Sequence, residues 1–297
     1  MTPRWLLAGI LAVLGLAGCA VPGERNPDAA AENSGAALGM MANRVQGVYG
    51  AAQRLDQDKP DIQMVVSAAR PDQATLMLEL RERRAERQRG MLLQLRAGDG
   101  ALPLFEGYFS PLLADGTVSP RACPMRFRLR NGLLSGQTEA DQCRFGQGSD
   151  AIGLVKEVAL DGRNLIIADQ LAPAGGRPAQ PPDILRLHRL ETFRGQVRVR
   201  DDSGWRTAEQ IELTVGGAPI EPLDAAGMTL GIRVRLALIE SRSAESPLLY
   251  LQAGDAEGTR VLGQAWSDIA SERLGLALDG IQITLEKRPE MTPDARR

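Results

Sequence analysis

Hydrophobic and polar positions follow two different periods along the chain, and the first of them is helical. In residues 33–55, apolar side chains recur three or four positions apart: Leu38, Met41, Val45, Val48, Tyr49, Ala52 and Leu55. Asn33 and Ser34 stand at the start of this stretch, and both residue types cap helix N-termini. The pattern predicts one amphipathic helix.

Beyond this stretch the period becomes two, which is typical of β-strands. In residues 125–130, Met125, Phe127 and Leu129 alternate with three arginines. Asn131-Gly132 follows, a sequence that favours a type I′ hairpin turn. Similar strand-like runs recur roughly every 8 to 12 residues with turn signals between them, which predicts an antiparallel meander that forms a barrel or a sandwich.

A second hairpin is predicted around Asp279-Gly280. A two-residue turn there places six apolar side chains on one face: Leu274, Leu276, Leu278, Ile281, Ile283 and Leu285. Strand-like runs continue beyond residues 190–195, but the chain contains no cysteine after that stretch. We place a domain boundary in that stretch.

The N-terminus has the parts of a bacterial lipoprotein signal. A start carrying Arg4 precedes an apolar run over residues 5–16, which is too short for a membrane-crossing helix of about 20 residues. The small pair before Cys19 resembles a lipoprotein cleavage site, at which Cys19 would receive lipid. Ala20, at a position where Asp would favour retention in the inner membrane, implies the outer membrane. The alternative is an ordinary signal peptide that happens to contain a cysteine.

These patterns divide the chain into five parts. Residues 1–18 are the predicted signal peptide, and residues 19–34, which are polar and rich in Pro and Ala, are a flexible tether. Residues 35–191 hold the helix and a β-barrel domain. Residues 192–290 form a second β-rich domain, and residues 291–297 a disordered tail. The fold class is therefore mainly β, and we expect attachment to the membrane through lipid alone, facing the periplasm.

Export also bears on the two remaining cysteines. Cys123 and Cys143 are the only cysteines besides Cys19, and disulfides persist in an oxidising compartment. The single histidine, His188, cannot complete a Cys/His zinc set, so no metal site is predicted. A Cys123–Cys143 disulfide would contribute about 3 kcal/mol by restricting the unfolded chain.

The predicted hairpin register constrains this disulfide. If Asn131-Gly132 closes a two-residue turn, Cys123 lies opposite Ala140 and not opposite Cys143. The disulfide therefore requires a bulge or a loop within residues 138–142.

Composition and motifs exclude several functions. The net charge is −2, which gives no reason to expect a nucleic-acid partner. The sequence contains no nucleophile elbow, phosphate-binding glycine loop or HExxH motif, so catalytic residues stay unknown and no cofactor is predicted. His188 lies in an alternating run and is interpreted as structural. A binding site would then be an apolar cavity with a few fixed polar groups.

Four segments, taken in order, resemble the CpcT/CpeT-type chromophore lyases, the T-type bilin lyases. They are residues 46–53, residues 76–95, the segment that holds Cys123 and Cys143, and residues 153–171. The matching positions are Gly47, Tyr49, Gln53, Glu79, Arg87, Arg89, Cys123, Gly136, Thr138, Cys143 and Asp169. The resemblance covers roughly residues 40 to 190.

The resemblance implies a helix followed by a calycin-like antiparallel β-barrel that holds an open-chain tetrapyrrole. Tyr49, Glu79, Arg87 and Arg89 would be its ligand-contacting residues, with the arginines paired to propionates. The chain is therefore predicted to be an outer-membrane lipoprotein whose barrel binds an amphiphilic small molecule, with no assigned protein partner. Two alternatives stay open: lyase-like activity on a bilin, and a non-catalytic envelope structural or interaction protein with a filled barrel.

Overall fold

The computed structural model describes residues 27–55, 62–83, 90–97, 104–148, 151–173, 180–241 and 246–289. Within these ranges the chain forms one helix, α1 (Pro27–Val45), and eighteen strands. The strands are β1 (Gly47–Gly50), β2 (Gln63–Ala69), β3 (Thr75–Arg83), β4 (Gly90–Ala97), β5 (Leu104–Pro111), β6 (Cys123–Arg130), β7 (Leu133–Thr138), β8 (Arg144–Phe145), β9 (Ile152–Leu160), β10 (Asn164–Pro173), β11 (Asp183–Arg189), β12 (Thr192–Asp201), β13 (Gly204–Thr214), β14 (Ile232–Ile239), β15 (Leu248–Asp255), β16 (Val261–Asp268), β17 (Arg273–Leu278) and β18 (Ile281–Lys287). Within the same ranges, no helix combines the length and the hydropathy that crossing a membrane requires.

Ten strands close into one antiparallel barrel. Their hydrogen-bonded order is β1-β2-β3-β4-β5-β6-β7-β9-β10-β11, and β11 pairs with β1 to complete the ring. The short strand β8 pairs with the start of β9. A ring of this kind leaves no unpaired sheet edge. The prediction of a mainly β chain with one helix and an antiparallel barrel is confirmed.

The β6–β7 hairpin shows why the period-two pattern was informative. Asn131 and Gly132 both have positive φ, 52° and 77°, as a type I′ turn requires. Leu129 pairs with Leu134, and Phe127 with Gly136. The apolar positions of β6 face the barrel core and its arginines face outwards, as predicted.

Helix α1 begins earlier than predicted. It starts at Pro27, so residues 27–34, which were assigned to a flexible tether, are helical. Proline fits the first turn of a helix, because its missing N–H group would have no partner there. Residues 29–31 are alanines, the strongest helix formers. The predicted caps Asn33 and Ser34 therefore lie inside the helix.

Helix α1 also ends earlier than predicted, at Val45 and not near Leu55. Gly47 has a φ of 154°, which other residues rarely adopt, and glycine is a poor helix former. The chain leaves the helix there and forms β1. Val48 and Tyr49 then alternate across the strand, with Tyr49 in the barrel core and Val48 against a second core.

Helix α1 closes one end of the barrel. Near its middle, Gly35 lies against the backbone of Gln73 in the β2–β3 turn. Near its end, Arg44 Nε donates a hydrogen bond of 2.7 Å to the carbonyl of Asp161 in the β9–β10 turn. Leu38, Met41 and Val45 are buried in the barrel core. We call the opposite end, where β3 ends and β4 begins, the far end.

Two further sheets follow the barrel in the chain. One has the order β13-β12-β18-β17 and the other β14-β15-β16. Their facing sides share a hydrophobic core that includes Phe193, Val197, Leu236, Leu251 and Ile283. The predicted hairpin at Asp279-Gly280 is confirmed, since Leu278 pairs with Ile281 and the inner pairs follow in register.

Candidate functional site

Large side chains fill the half of the barrel next to α1. The inward positions there are at most 2% exposed: Leu76, Leu78, Leu95, Phe105, Phe127, Leu134, Leu160, Leu165 and Leu187. Gly136 faces the same space, and a Cβ atom at that position would lie 2.4 Å from the Phe127 ring. This half is packed like an ordinary protein interior.

A lysine points into the barrel in its other half. Lys156 lies on the inward face of β9, between Leu154 and Val158, and its side chain is 5% exposed. Its Nζ atom forms an ion pair with Oδ1 of Asp169, the residue directly opposite on β10. The same Nζ lies 4.9 Å from the centre of the Phe109 ring. The carboxylate and the aromatic face both offset the cost of removing an ammonium from water.

Thr138 fixes the backbone from which the lysine projects. The β7–β9 ladder ends at the pair Gln137 and Glu157. The buried Thr138 hydroxyl takes the place of the next rung: it donates to the Leu154 carbonyl and accepts from the Lys156 N–H, both at 2.8 Å. A side chain thus holds β9 at the position where the strands separate.

The lysine lies where the barrel interior meets solvent at the far end. The Asp169 side chain is 44% exposed. Leu171, two residues further along the same face of β10, is 60% exposed. An ammonium has three N–H donors, and Asp169 is the one acceptor bonded to Lys156 Nζ in the described part of the chain. An amphiphile has a polar group that can accept a hydrogen bond from the ammonium and an apolar part that can contact the exposed leucine.

The disulfide between Cys123 and Cys143 is present, and it lies at the far end. The Cα atoms are 4.9 Å apart. The hairpin keeps its predicted register, with Met125 paired to Thr138, so Cys123 would face Ala140 in a regular ladder. A turn in residues 139–143 makes up the difference, because the N–H groups of Gln142 and Cys143 both donate to the Glu139 carbonyl, at 3.0 and 2.9 Å. Both the disulfide and the predicted irregularity are confirmed.

Of the ligand-contacting residues taken from the resemblance, Tyr49 and Glu79 lie within the described residues, and they lie on opposite faces of the barrel wall. Tyr49 is inside the barrel next to α1, and its hydroxyl donates to the Val45 carbonyl at 2.8 Å. Glu79 lies on the outward face of β3 and forms an ion pair with Arg81. Arg87, Arg89 and the lipidation site Cys19 lie outside the described residues. Lys156 was missed, although "GLVKEVAL" places a lysine among the apolar positions of a period-two strand.

His188 is half-buried on the outward face of β11. Its Nδ1 lies 3.0 Å from the side-chain oxygen of Asn164. Burial lowers its pKa below the ordinary 6.5, and the nearby Asp161 carboxylate opposes this only in part. The histidine therefore contacts Asn164, its cross-strand neighbour on β10.

His188 gives the protein an acid-sensitive contribution to stability. The unfolded chain binds a proton at His188 more readily than the folded chain, so the free energy of unfolding falls as the pH drops below 6.5. His188→Gln removes the only histidine, so its free energy of unfolding should fall less across this window. Urea unfolding at about pH 7.5 and about pH 5.5 measures the difference. Equal decreases in both proteins would contradict the assignment.

No family model matches this chain, and no curated protein matches it.

Proposed function

We propose that this protein is a non-catalytic binding protein whose barrel takes a small amphiphile at its far end. The observation that supports this best is the Lys156 ammonium, which is buried inside the barrel with donor capacity left at the boundary with solvent. A buried charge of this kind is costly, and apolar residues of similar size often replace it without loss of stability. Its presence favours a binding role.

Each part of the site has a separate task in this proposal. The Lys156 ammonium donates to an acceptor on the ligand, and Asp169 and Phe109 hold the ammonium in place. The exposed Leu171 contacts the apolar part of the ligand. Since inward side chains are buried in the far half as well, Leu80 and Leu93 among them, the ligand in this proposal binds at the rim of the far end beside Lys156. An open-chain tetrapyrrole is one member of this chemical class.

The localisation that we propose follows from the N-terminal sequence. Cys19 carries the lipid and attaches the chain to the outer membrane, with the barrel in the periplasm. The barrel is calycin-like in this proposal, and residues 192–290 act as a second β-rich domain. The hydrophobic core formed mainly by β12 to β18 supports that division.

A packed scaffold for protein interaction is the second candidate. Its supporting observation is the row of large, fully buried side chains that fills the barrel next to α1. Bilin-lyase-like activity remains a prediction of the family resemblance. It would require transfer of a bound group to a partner protein, in addition to binding.

Native mass spectrometry of the full-length chain, extracted from membranes in a mild detergent, tests the proposal. The wild-type protein should carry a non-covalent small-molecule mass that Lys156→Met lacks, because methionine fills the same space without a donor. Arg128→Met, on the outward face of β6, is the matched control and should keep the mass.

The same preparations test the lipid anchor after denaturation. The intact mass should match a chain that begins at Cys19 and carries acyl groups, and Cys19→Ala should lack them. A wild-type chain without any bound small molecule would favour the packed scaffold. A bound mass that Lys156→Met retains would remove Lys156 from the site.

A further inference from the structure

A concave site lies at the end of the barrel that α1 closes. It has a volume of about 300 Å³, at the lower limit for small-molecule sites. Five basic side chains line it, from α1, the β9–β10 turn, β11 and the end of β18: Arg44, Arg163, Arg189, Lys287 and Arg288. Three acidic side chains also line it, so the cleft has an excess of two positive charges.

The three carboxylates already have partners within the protein. Lys287 Nζ lies 3.3 Å from Glu191 and 3.8 Å from Glu272, so these two carboxylates form ion pairs with this lysine. Asp161 Oδ1 accepts the backbone N–H groups of Arg163 and Asn164, at 2.8 and 2.6 Å. The Asp161 carboxylate is therefore occupied by its own turn. The charge available to a ligand comes from the arginines.

Arg44 is held in a fixed orientation by two glycine turns. A Cβ atom at Gly132 would lie 2.4 Å from Arg44 Nη1, and one at Gly162 would lie 2.7 Å from Arg44 Cγ. Its Nε donates to the Asp161 carbonyl. The guanidinium thus loses little further freedom when it binds a ligand, which favours affinity.

Two other arginines line the cleft from other elements. Arg163 is exposed at the tip of the β9–β10 turn. Arg288 is about one-third exposed, and its Nη1 lies 3.1 Å from Glu212, a residue that is not among those lining the cleft. Both residues line the cleft, and each guanidinium carries a planar fork of N–H donors.

We propose that this cleft binds a phosphate group, carried by a small phosphorylated molecule or by a lipid headgroup. The guanidinium fork matches two phosphate oxygens and binds them with paired hydrogen bonds. A phosphate monoester carries about −1.5 to −2 charges at neutral pH, and the excess of basic over acidic lining residues offsets part of it, since Glu212 already pairs with Arg288. The cleft and the Lys156 site lie at opposite ends of the barrel, so this inference does not depend on the proposed function.

Calorimetric titration of the full-length chain in a non-ionic detergent with inorganic phosphate tests the site. The wild-type protein should bind one phosphate at low salt. Arg163→Gln and Arg288→Gln should each weaken binding about tenfold, the loss expected for one charged hydrogen bond. Arg121→Gln, an equal charge change at the far end of the barrel, should bind like the wild type. Thermal unfolding of each variant checks that it folds.

Two further ligands distinguish the sources of the phosphate. Glycerol 3-phosphate represents a soluble ester, and vesicles that contain phosphatidic acid represent a headgroup. The natural ligand is of the class whose probe binds more tightly and is weakened by Arg163→Gln. Either result supports phosphate binding in the cleft. Absence of saturable binding in all titrations would overturn the proposal, and so would an equal loss of binding in Arg121→Gln.

Discussion

Asp169→Ala is expected to lower the free energy of unfolding by about 3 kcal/mol, the lower end of the range for breaking a buried ion pair. The loss arises because the Lys156 ammonium would remain inside the barrel without its carboxylate. The exposure of Asp169 moderates the loss, since water reaches that side of the pair. Urea unfolding at neutral pH measures the effect.

Two variants test the reason for this loss. Lys156→Met/Asp169→Ala should recover most of the stability, because no uncompensated charge remains in the barrel. Glu286→Ala removes one partner of an exposed cross-strand pair with Arg273 and should cost about 0–1 kcal/mol. If Asp169→Ala cost no more than Glu286→Ala, Lys156 would not be buried as a charged group.

Gly107→Ala is expected to destabilise the barrel by about 3 kcal/mol, near the upper end for an added group in a packed core. A Cβ atom at Gly107 would lie 1.8 Å from the backbone oxygen of Gln94 on the neighbouring strand β4. Since the conflict is with backbone, a change of rotamer cannot relieve it. The β4–β5 pairing must separate, and chemical denaturation measures the cost.

Gly275→Ala is the matched control. Gly275 also lies within a strand, β17, but its nearest contact would be Ile283 O at 3.7 Å, an ordinary van der Waals distance. The substitution should change stability by no more than about 0.5 kcal/mol. Equal effects at Gly107 and Gly275 would show that loss of glycine, and not the close approach of β4, causes the destabilisation.

Local elements were predictable from sequence where two signals agreed. The β6–β7 and β17–β18 hairpins combine an apolar period of two with a turn sequence, and each register follows from counting outwards from the turn. The same counting showed that a Cys123–Cys143 disulfide needs extra residues, which the structure supplies in the turn at Glu139. The cysteine count and the hairpin register, with the expected export, therefore predicted a tertiary contact that the structure contains.

Other features depend on contacts that the local pattern does not contain. In residues 48–52, Val48 and Ala52 contact the second core while Tyr49 and Ala51 contact the barrel core, and this spacing imitates a helical repeat. Position 107 requires glycine only because β4 lies so close to it. The pairing of β11 with β1, which closes the barrel, joins residues far apart in the chain.

The candidate site was the least predictable part. Asp169 is one of the positions of the family resemblance, but the sequence analysis assigned no role to its partner Lys156. The two meet because β9 and β10 form a hairpin that places them directly opposite on the inward face. A lysine at an apolar position of a period-two strand is the signal that identifies such a site.

Fluorescence titration with cis-parinaric acid, an amphiphile whose carboxylate accepts hydrogen bonds, tests the binding site at the far end most directly. The wild-type chain should bind it saturably at one site, and Lys156→Met should bind it about tenfold more weakly, the loss of one charged hydrogen bond. Arg128→Met should bind it like the wild type. Equal affinities in all three proteins, or no saturable binding, would contradict a ligand site at Lys156.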